Sequence, residues 1–384
     1  MALPYWRLSN FYLFYFASLG ALLPYWGLYL KDEGFSALEI GELMALVMAT
    51  KIISPNIWGW IADHTGKKMT VVRVGSLLSI LCFVGVFWAK GYWAMALMMF
   101  SFSFFWNATL PQFEAITLNY LHGDSHRYSL IRLWGSIGFI ITAATLGPLF
   151  EWVSVTHLPG ILLGIYIAIF LSSTLVPERQ SSVIHHDPLP IMGVIKQPTV
   201  IALLVVCFLM QASHGPYYTF FTLYMEEYDY SRTVIGELWA LGVIAEVVIF
   251  MVMHRLVPKY GLEWLLLFAL LITSLRWLLI ALFAKSLVVI LFAQLIHAAS
   301  FGIFHAVTIT MFHRIFTGKL QGRGQALYSS ISFGGGGAFG SYAAGLSWNH
   351  FGPASIYLFA TLMTVAGYLI ALRWLNREVT PNPI

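Results

Sequence analysis

Twelve apolar runs, each long enough to make a helix that crosses a bilayer, divide this chain from end to end. They lie at about 8–30, 39–62, 70–89, 92–121, 129–150, 158–176, 199–225, 232–254, 262–283, 286–313, 324–347 and 352–374. A helix rises about 1.5 Å per residue, so roughly 20 apolar residues cover the ~30 Å of hydrocarbon. The fourth and tenth runs are long enough to tilt. Barrel strands would instead alternate apolar and polar residues over about ten positions, and the chain lacks that pattern. With 59% hydrophobic and 10% charged residues and a mean hydropathy of +0.77, the chain is too apolar to turn its surface to water. The expected fold class is an all-α polytopic membrane protein with 12 transmembrane helices.

Lys and Arg in the connecting segments set the expected orientation. With the amino terminus inside, 15 of them fall on the inner side and 4 (Lys31, Lys90, Arg232 and Lys285) on the outer side. The remaining two, Lys51 and Arg276, lie within spans. Both termini are therefore expected on the cytoplasmic face of a bacterial-type inner membrane. The net charge of +4 reflects this bias and gives no reason to invoke nucleic acid. The first run starts near Leu8 without a basic leader or an A-x-A site, so it is expected to be a span and not a cleaved segment.

The only long internal loop, Pro177 to Pro198, is polar and Pro-rich, as suits a cytoplasmic linker. It divides the chain into 1–176 and 199–384, the two expected six-helix bundles. His185, His186 and Asp187 within it read as solvated loop residues, because adjacent side chains rarely close a coordination shell. Cys82 and Cys207 fall in spans and read as small apolar residues. The Gly334–Gly337 run is not followed by Lys-Ser or Lys-Thr, so it reads as close helix packing rather than a phosphate loop. No metal and no cofactor are called for. The motifs G-x-S-x-G and H-E-x-x-H are absent, which argues against an intramembrane enzyme.

The two halves repeat. IGELMALVMATK, from Ile40, returns as IGELWALGVIAE, from Ile235, at an offset of 195 residues. The same shift places Gly20 on Gly215, Leu28-Tyr29 on Leu223-Tyr224, Ser36 on Ser231 and Gly66 on Gly261. Lys51 falls on Glu246, a cation on an anion. Parallel six-helix repeats of this kind are the duplication expected of major facilitator transporters.

GWIADHTGKK, Gly59 to Lys68, resembles the signature of that superfamily between helices two and three, G-x-x-[AS]-D-x-x-G-[RK]-[RK]. The resemblance implies a cytoplasmic conformational latch at Asp63, Gly66, Lys67 and Lys68. In the second half Pro258 stands in place of the Asp, so the latch is expected to be asymmetric. Further stretches resemble the lactose permease-like branch, and most of all its phenylpropionate-permease group. They are LPYWGLYLK, IRLWGSIGF, SHGPYYTFF, GVIAEVVIF, SLRWLLI and LIHAASFGIFH.

This resemblance implies a proton-coupled secondary transporter working by alternating access, with Glu246 and Arg276 at the helix-eight and helix-nine charges of sugar permeases. Glu114 and Arg132 resemble the helix-four acid and helix-five arginine, although hydropathy alone also allows them to bracket a short loop. His297 corresponds to the histidine of the permease proton relay, but Ser300 stands where the family has an acid one turn later. The coupling role is therefore expected to fall on Glu246, with Glu114 next and His305 as a further candidate. At a uniform 100° per residue, His297 and His305 should point about 80° apart and stand roughly 12 Å apart along the axis. His214, with Gln211, Tyr217 and Tyr218 beside it, and Tyr25, Trp26 and Trp239 complete the candidate substrate-binding set.

An ionised side chain at mid-bilayer costs roughly 2.5–3.5 kcal/mol on insertion scales, so each such charge needs a partner, water or substrate. Lys51, Arg132 and Arg276 outnumber Glu114 and Glu246 by one. In the facilitator fold helices two and eight are symmetry-related, so Lys51 and Glu246 are expected to give the cavity a positive and a negative wall. A monoanionic, aromatic carboxylate would supply the missing charge. A neutral sugar or nucleoside, or a non-transporting sensor of the same fold, remains the alternative. The expected partners are a small-molecule substrate, protons and lipid, with the chain acting as a monomer. Reporter fusions at both termini and within 177–198 should all report the cytoplasmic side, and a periplasmic carboxy terminus would overturn the twelve-span topology.

Overall fold

The computed structural model describes residues 4–121, 124–178 and 191–375, and among these every regular element is a helix. The first half holds α1 (Tyr5–Asp32), α2 (Ala37–Thr65), α3 (Lys68–Phe83), α4 (Tyr92–Leu121), α5 (Ser125–Trp152) and α6 (Leu158–Thr174). After the single turn α7 (Met192–Ile195) come α8 (Pro198–Glu226), α9 (Arg232–Tyr260) and α10 (Leu262–Leu282). The remaining helices are α11 (Leu287–Leu295), α12 (Phe304–Ile315), α13 (Gln321–Ser329), α14 (Gly337–Phe351) and α15 (Ser355–Trp374). A π-turn at Ala298–Ile303 separates α11 from α12, and a second at Ser330–Gly336 separates α13 from α14. The expected loop residues His185, His186 and Asp187 lie outside the described residues.

Among the described residues, ten helices are long and apolar enough to cross a membrane. The two other expected spans, 39–62 and 324–347, are also helical but more polar. The middle of α2 carries Lys51, Ser54, Pro55 and Asn56, and the stretch from Gln321 to Phe351 is rich in Gly and Ser. Helices suit this setting because each satisfies its own backbone polar groups without water. Large apolar side chains such as Trp93, Leu97 and Val288 stay exposed, as expected where the solvent is lipid.

The chain divides into two compact units, Met1–His185 with Tyr230–Ala240, and His186–Asp229 with Leu241–Ile384. The first turns of α9 thus group with the first unit. There Arg232 Nη1 donates to the Phe150 carbonyl at 2.9 Å, and the Thr233 backbone N–H donates to Glu151 Oε1 at 2.9 Å.

Helix ends obey the same rules in both repeats. Ser36 caps α2 in a capping box with Glu39, and its counterpart Ser231 accepts from the Val234 N–H at the start of α9. Gly66 and Gly261, also 195 residues apart, have φ of +68° and +79° and end α2 and α9. Only glycine takes that backbone freely, so α3 and α10 can begin one or two residues later.

Glycines also let helices touch along their backbones. A Cβ on Gly20 would stand 2.6 Å from the Phe139 carbonyl oxygen, which ties α1 to α5. Its counterpart Gly215 in α8 meets the backbone of Gly340, and Gly336 and Gly340 meet the backbone of α8 at Phe208 and Ala212. In the first unit Gly138 in α5 meets the Leu13 carbonyl, whereas Gly164 in α6 faces open space. Gly138→Ala should therefore destabilise the protein by about 1–3 kcal/mol through overpacking, while Gly164→Ala should be neutral or slightly stabilising. Thermal unfolding of the detergent-purified variants measures the difference.

Candidate functional site

In the second unit the polar residues gather around Arg276. Its side chain has no exposed surface, and a buried guanidinium must place its five donors. Nε donates to the Ala293 carbonyl at 2.9 Å, Nη1 to Ser300 Oγ at 3.3 Å and Nη2 to Gln294 Oε1 at 3.1 Å. The guanidinium carbon also lies 4.4 Å from the Tyr217 ring centroid and 4.5 Å from that of Trp277. Among the described residues no carboxylate lies within ion-pair distance of Arg276. Carbonyl, amide and hydroxyl oxygens and two π faces hold this charge.

Gln294 shares its oxygen between Arg276 and the Tyr217 hydroxyl, which donates to it at 3.0 Å. Arginine has no acceptor, so the amide oxygen faces it and the amide nitrogen points the other way. Among the described residues that nitrogen is buried with no hydrogen-bond partner, as is His214 Nε2. The other His214 nitrogen, Nδ1, is 2.9 Å from the Met210 carbonyl and donates to it. His214 also packs edge-on against Trp277 and tilted against Tyr218, to which Gln211 is hydrogen-bonded.

Glu246 meets His297, with Oε1 2.6 Å from Nε2. The other ring nitrogen, Nδ1, is 3.3 Å from Ser300 Oγ. Ser300, the position where an acid was expected, thus joins Arg276 to His297. Gly242 makes room for this cluster, since a Cβ there would stand 3.2 Å from His297 Cδ2 and 3.3 Å from Gln294 Oε1.

The geometry of His297 and His305 departs from the uniform-helix expectation because the π-turn Ala298–Ile303 lies between them. Both rings stack on Phe301, at 5.7 Å and 5.6 Å. His305 Nδ1 is 3.0 Å from the Tyr328 hydroxyl and so belongs to a separate aromatic group with Phe333. π-turns inside helices recur at functional sites, where they re-aim side chains.

In the first unit Arg132 Nε stands 3.8 Å from Glu114 Oε1, with about a third of each side chain exposed, 30% and 32%. The Tyr128 hydroxyl is hydrogen-bonded to Glu114. The Arg132 guanidinium lies 3.7 Å from the Phe16 ring centroid, and Tyr12 stands farther off at 5.7 Å. Gly135 makes this arrangement possible, because a Cβ there would stand 2.8 Å from Arg132 Nη1. Lys51 is half-buried and, among the described residues, has neither a hydrogen bond nor an ion pair. One residue before it, Thr50 accepts from Asn107 Nδ2 at 2.9 Å and donates to the Val47 carbonyl at 2.8 Å, which fixes α2 against α4.

Tyr25 and Trp26 are placed away from this region. Both are fully buried, Tyr25 donating to the Ala143 carbonyl at 2.6 Å and Trp26 to Met99 Sδ at 3.4 Å. They are helix-packing residues. Trp239 is buried near Phe139. At the α2–α3 junction Lys68 pairs with Asp63 at 3.4 Å, Gly66 takes the left-handed cap, and Lys67 N–H donates to Thr65 Oγ1 at 3.4 Å. Glu178 joins this junction unforeseen, accepting from Met69 N–H at 3.0 Å and from the Thr70 hydroxyl at 2.9 Å. Arg73 also pins it, donating to the Val176 carbonyl at 2.7 Å. Gln294 was equally missed, although its spacing three residues before His297 puts both on one helix face.

A family model for MFS_1-like proteins matches residues 5–359. The chain belongs to the MFS_1-like family. This MFS_1-like protein is 26% identical over 368 residues to a probable 3-phenylpropionic acid transporter of Escherichia coli, covering 93% of this chain and 95% of the relative. It is also 26% identical over 372 residues to a maltose permease of Geobacillus stearothermophilus, covering 96% and 94%. The crystal structure of the nucleoside transporter NupG superposes with a TM-score of 0.82 at 16% identity, covering 98% of both chains. The fold is thus the all-α major facilitator fold, and the protein is a secondary transporter of small molecules in a membrane, not an enzyme.

Proposed function

We propose that this protein is a proton-coupled symporter of an organic, aromatic monocarboxylate, working by alternating access between two six-helix halves. The observation that carries the reading is the surplus of cationic groups. Among the described residues Lys51 has no partner, Arg132 is a third exposed and held at 3.8 Å by Glu114, and Arg276 has no carboxylate beside it. A bound carboxylate would add the missing anion, and an Arg fork receives one in two parallel hydrogen bonds. The ring of Phe16 under Arg132 and the neighbouring Tyr12 supply faces for an aromatic body.

On this reading the substrate-binding residues are Lys51, Arg132 and Glu114 in the first unit and Arg276, Gln211, His214 and Tyr218 in the second. Glu246 and His297 carry the proton, and Asp63, Gly66, Lys67 and Lys68 act as the cytoplasmic latch. The protein works as a monomer in the inner membrane with both termini cytoplasmic. Similarity to a maltose permease at the same identity supports a second reading, symport of a neutral sugar, and a substrate panel in proteoliposomes separates the two.

Lys51→Gln should weaken binding of an aromatic carboxylate by about 10- to 100-fold, a loss of about 1.5–3 kcal/mol, and Lys51→Arg by less. Equal affinity in the wild type and Lys51→Gln, read by calorimetry, would remove the anion reading. Glu246→Gln should abolish accumulation driven by a pH gradient and leave substrate exchange measurable. Continued uphill accumulation in that variant would move the proton to Glu114.

A further inference from the structure

Ser300 has one hydroxyl proton and three polar atoms within hydrogen-bond distance of its oxygen. Arg276 Nη1 lies 3.3 Å away and can only donate, so Oγ accepts there. The hydroxyl proton then has two acceptors, His297 Nδ1 at 3.3 Å and the His297 carbonyl at 3.2 Å. On the other side of the same ring, Nε2 meets Glu246 Oε1 at 2.6 Å. The other groups facing His297 are the rings of His214 and Tyr217, from α8, and Phe301 on its own element. The Tyr217 hydroxyl donates to Gln294, and His214 Nδ1 is engaged by the Met210 carbonyl.

We propose that Ser300 is a positioning residue whose hydroxyl, turned to His297 Nδ1 in one state and to the His297 carbonyl in the other, lets the Glu246–His297 pair gain or lose one proton without leaving Nδ1 unpartnered. The proposal rests on the reading of that pair as the proton site. In the first state the hydroxyl donates to Nδ1, the ring carries its proton on Nε2, and Nε2–H donates to the Glu246 carboxylate. When one proton is added at Nδ1, the new N–H donates to Ser300 Oγ. The hydroxyl then rotates to the His297 carbonyl. Oγ accepts from both Arg276 and Nδ1, which uses its two lone pairs, and Ser300 neither gains nor loses a proton. The pair gains one positive charge and no bond to a heavy atom is made or broken. The hydroxyl thus gives a partner to Nδ1 in either protonation state beside the fixed charge of Arg276. Alanine would leave Nδ1 without a partner in both states.

The test compares wild type, Ser300→Ala and Ser300→Thr in proteoliposomes, using 3-phenylpropionate as the probe, with ¹⁵N spectra of labelled His297. Ser300→Ala should lower accumulation driven by a pH gradient about tenfold, as loss of one hydrogen bond to a charged ring implies, and leave exchange within about twofold. Its Nδ1 resonance should move to that of a nitrogen without a hydrogen bond, and Ser300→Thr should restore both readouts. Retained exchange shows that the alanine variant is folded. Wild-type accumulation by Ser300→Ala would overturn the proposal. If the wild type itself shows no accumulation driven by pH, or does not take the probe, the reading of Glu246–His297 or of the substrate fails separately. The spectra then decide for Ser300: a change in Nδ1 reversed by threonine supports the proposal, and an unchanged Nδ1 overturns it.

Discussion

The arrangement of the second unit follows from a guanidinium with no exposed surface and, among the described residues, no carboxylate beside it. Such a charge persists in an apolar helix bundle only if every side of it meets an oxygen or an aromatic face. Arg276 therefore recruits the Ala293 carbonyl, Gln294 and Ser300 from the next transmembrane span, and the rings of Tyr217 and Trp277. These demands fix where His297 lies, because Ser300 is shared between Arg276 and His297. They also leave Glu246 paired with His297. A single buried cation thus orders a chain of polar groups across α9, α10 and the span containing α11.

The duplication preserves backbone solutions and alters chemistry. Serine caps at Ser36 and Ser231, left-handed glycines at Gly66 and Gly261, and close helix contacts at Gly20 and Gly215 recur at the 195-residue offset. These positions answer to steric and hydrogen-bonding needs common to both halves, so divergence at them is costly. Lys51 and Glu246 occupy equivalent positions too, yet among the described residues Lys51 has no partner, while Glu246 meets His297 at 2.6 Å.

The two halves also hold charge differently. In the first unit the Glu114–Arg132 pair is a third exposed and 3.8 Å apart, a separation at which the guanidinium retains capacity for another anion. In the second the polar groups around Arg276 are buried and, among the described residues, mutually satisfied apart from single atoms on Gln294, His214 and Tyr357.

The sequence by itself determined the all-α membrane-spanning fold, because apolar length has only one reading where water is absent and every backbone group must be satisfied within its own helix. It also determined the repeat, the glycine and serine helix ends, and the identity of the charges that needed partners. Tertiary structure alone decided which partners they found. Hydropathy could not show that Arg276 is served by neutral oxygens, or that Gln294 is one of them, since an isolated Gln in an apolar run carries no directional signal. Nor could a uniform helical period locate His297 and His305, because the π-turn at Ala298–Ile303 shifts the register between them. Tyr25 and Trp26 carry the same amphipathic chemistry as cavity aromatics, yet helix packing encloses both. Amphipathic aromatics look alike in sequence whether they face a substrate or a neighbouring helix, and only the neighbour's position tells them apart.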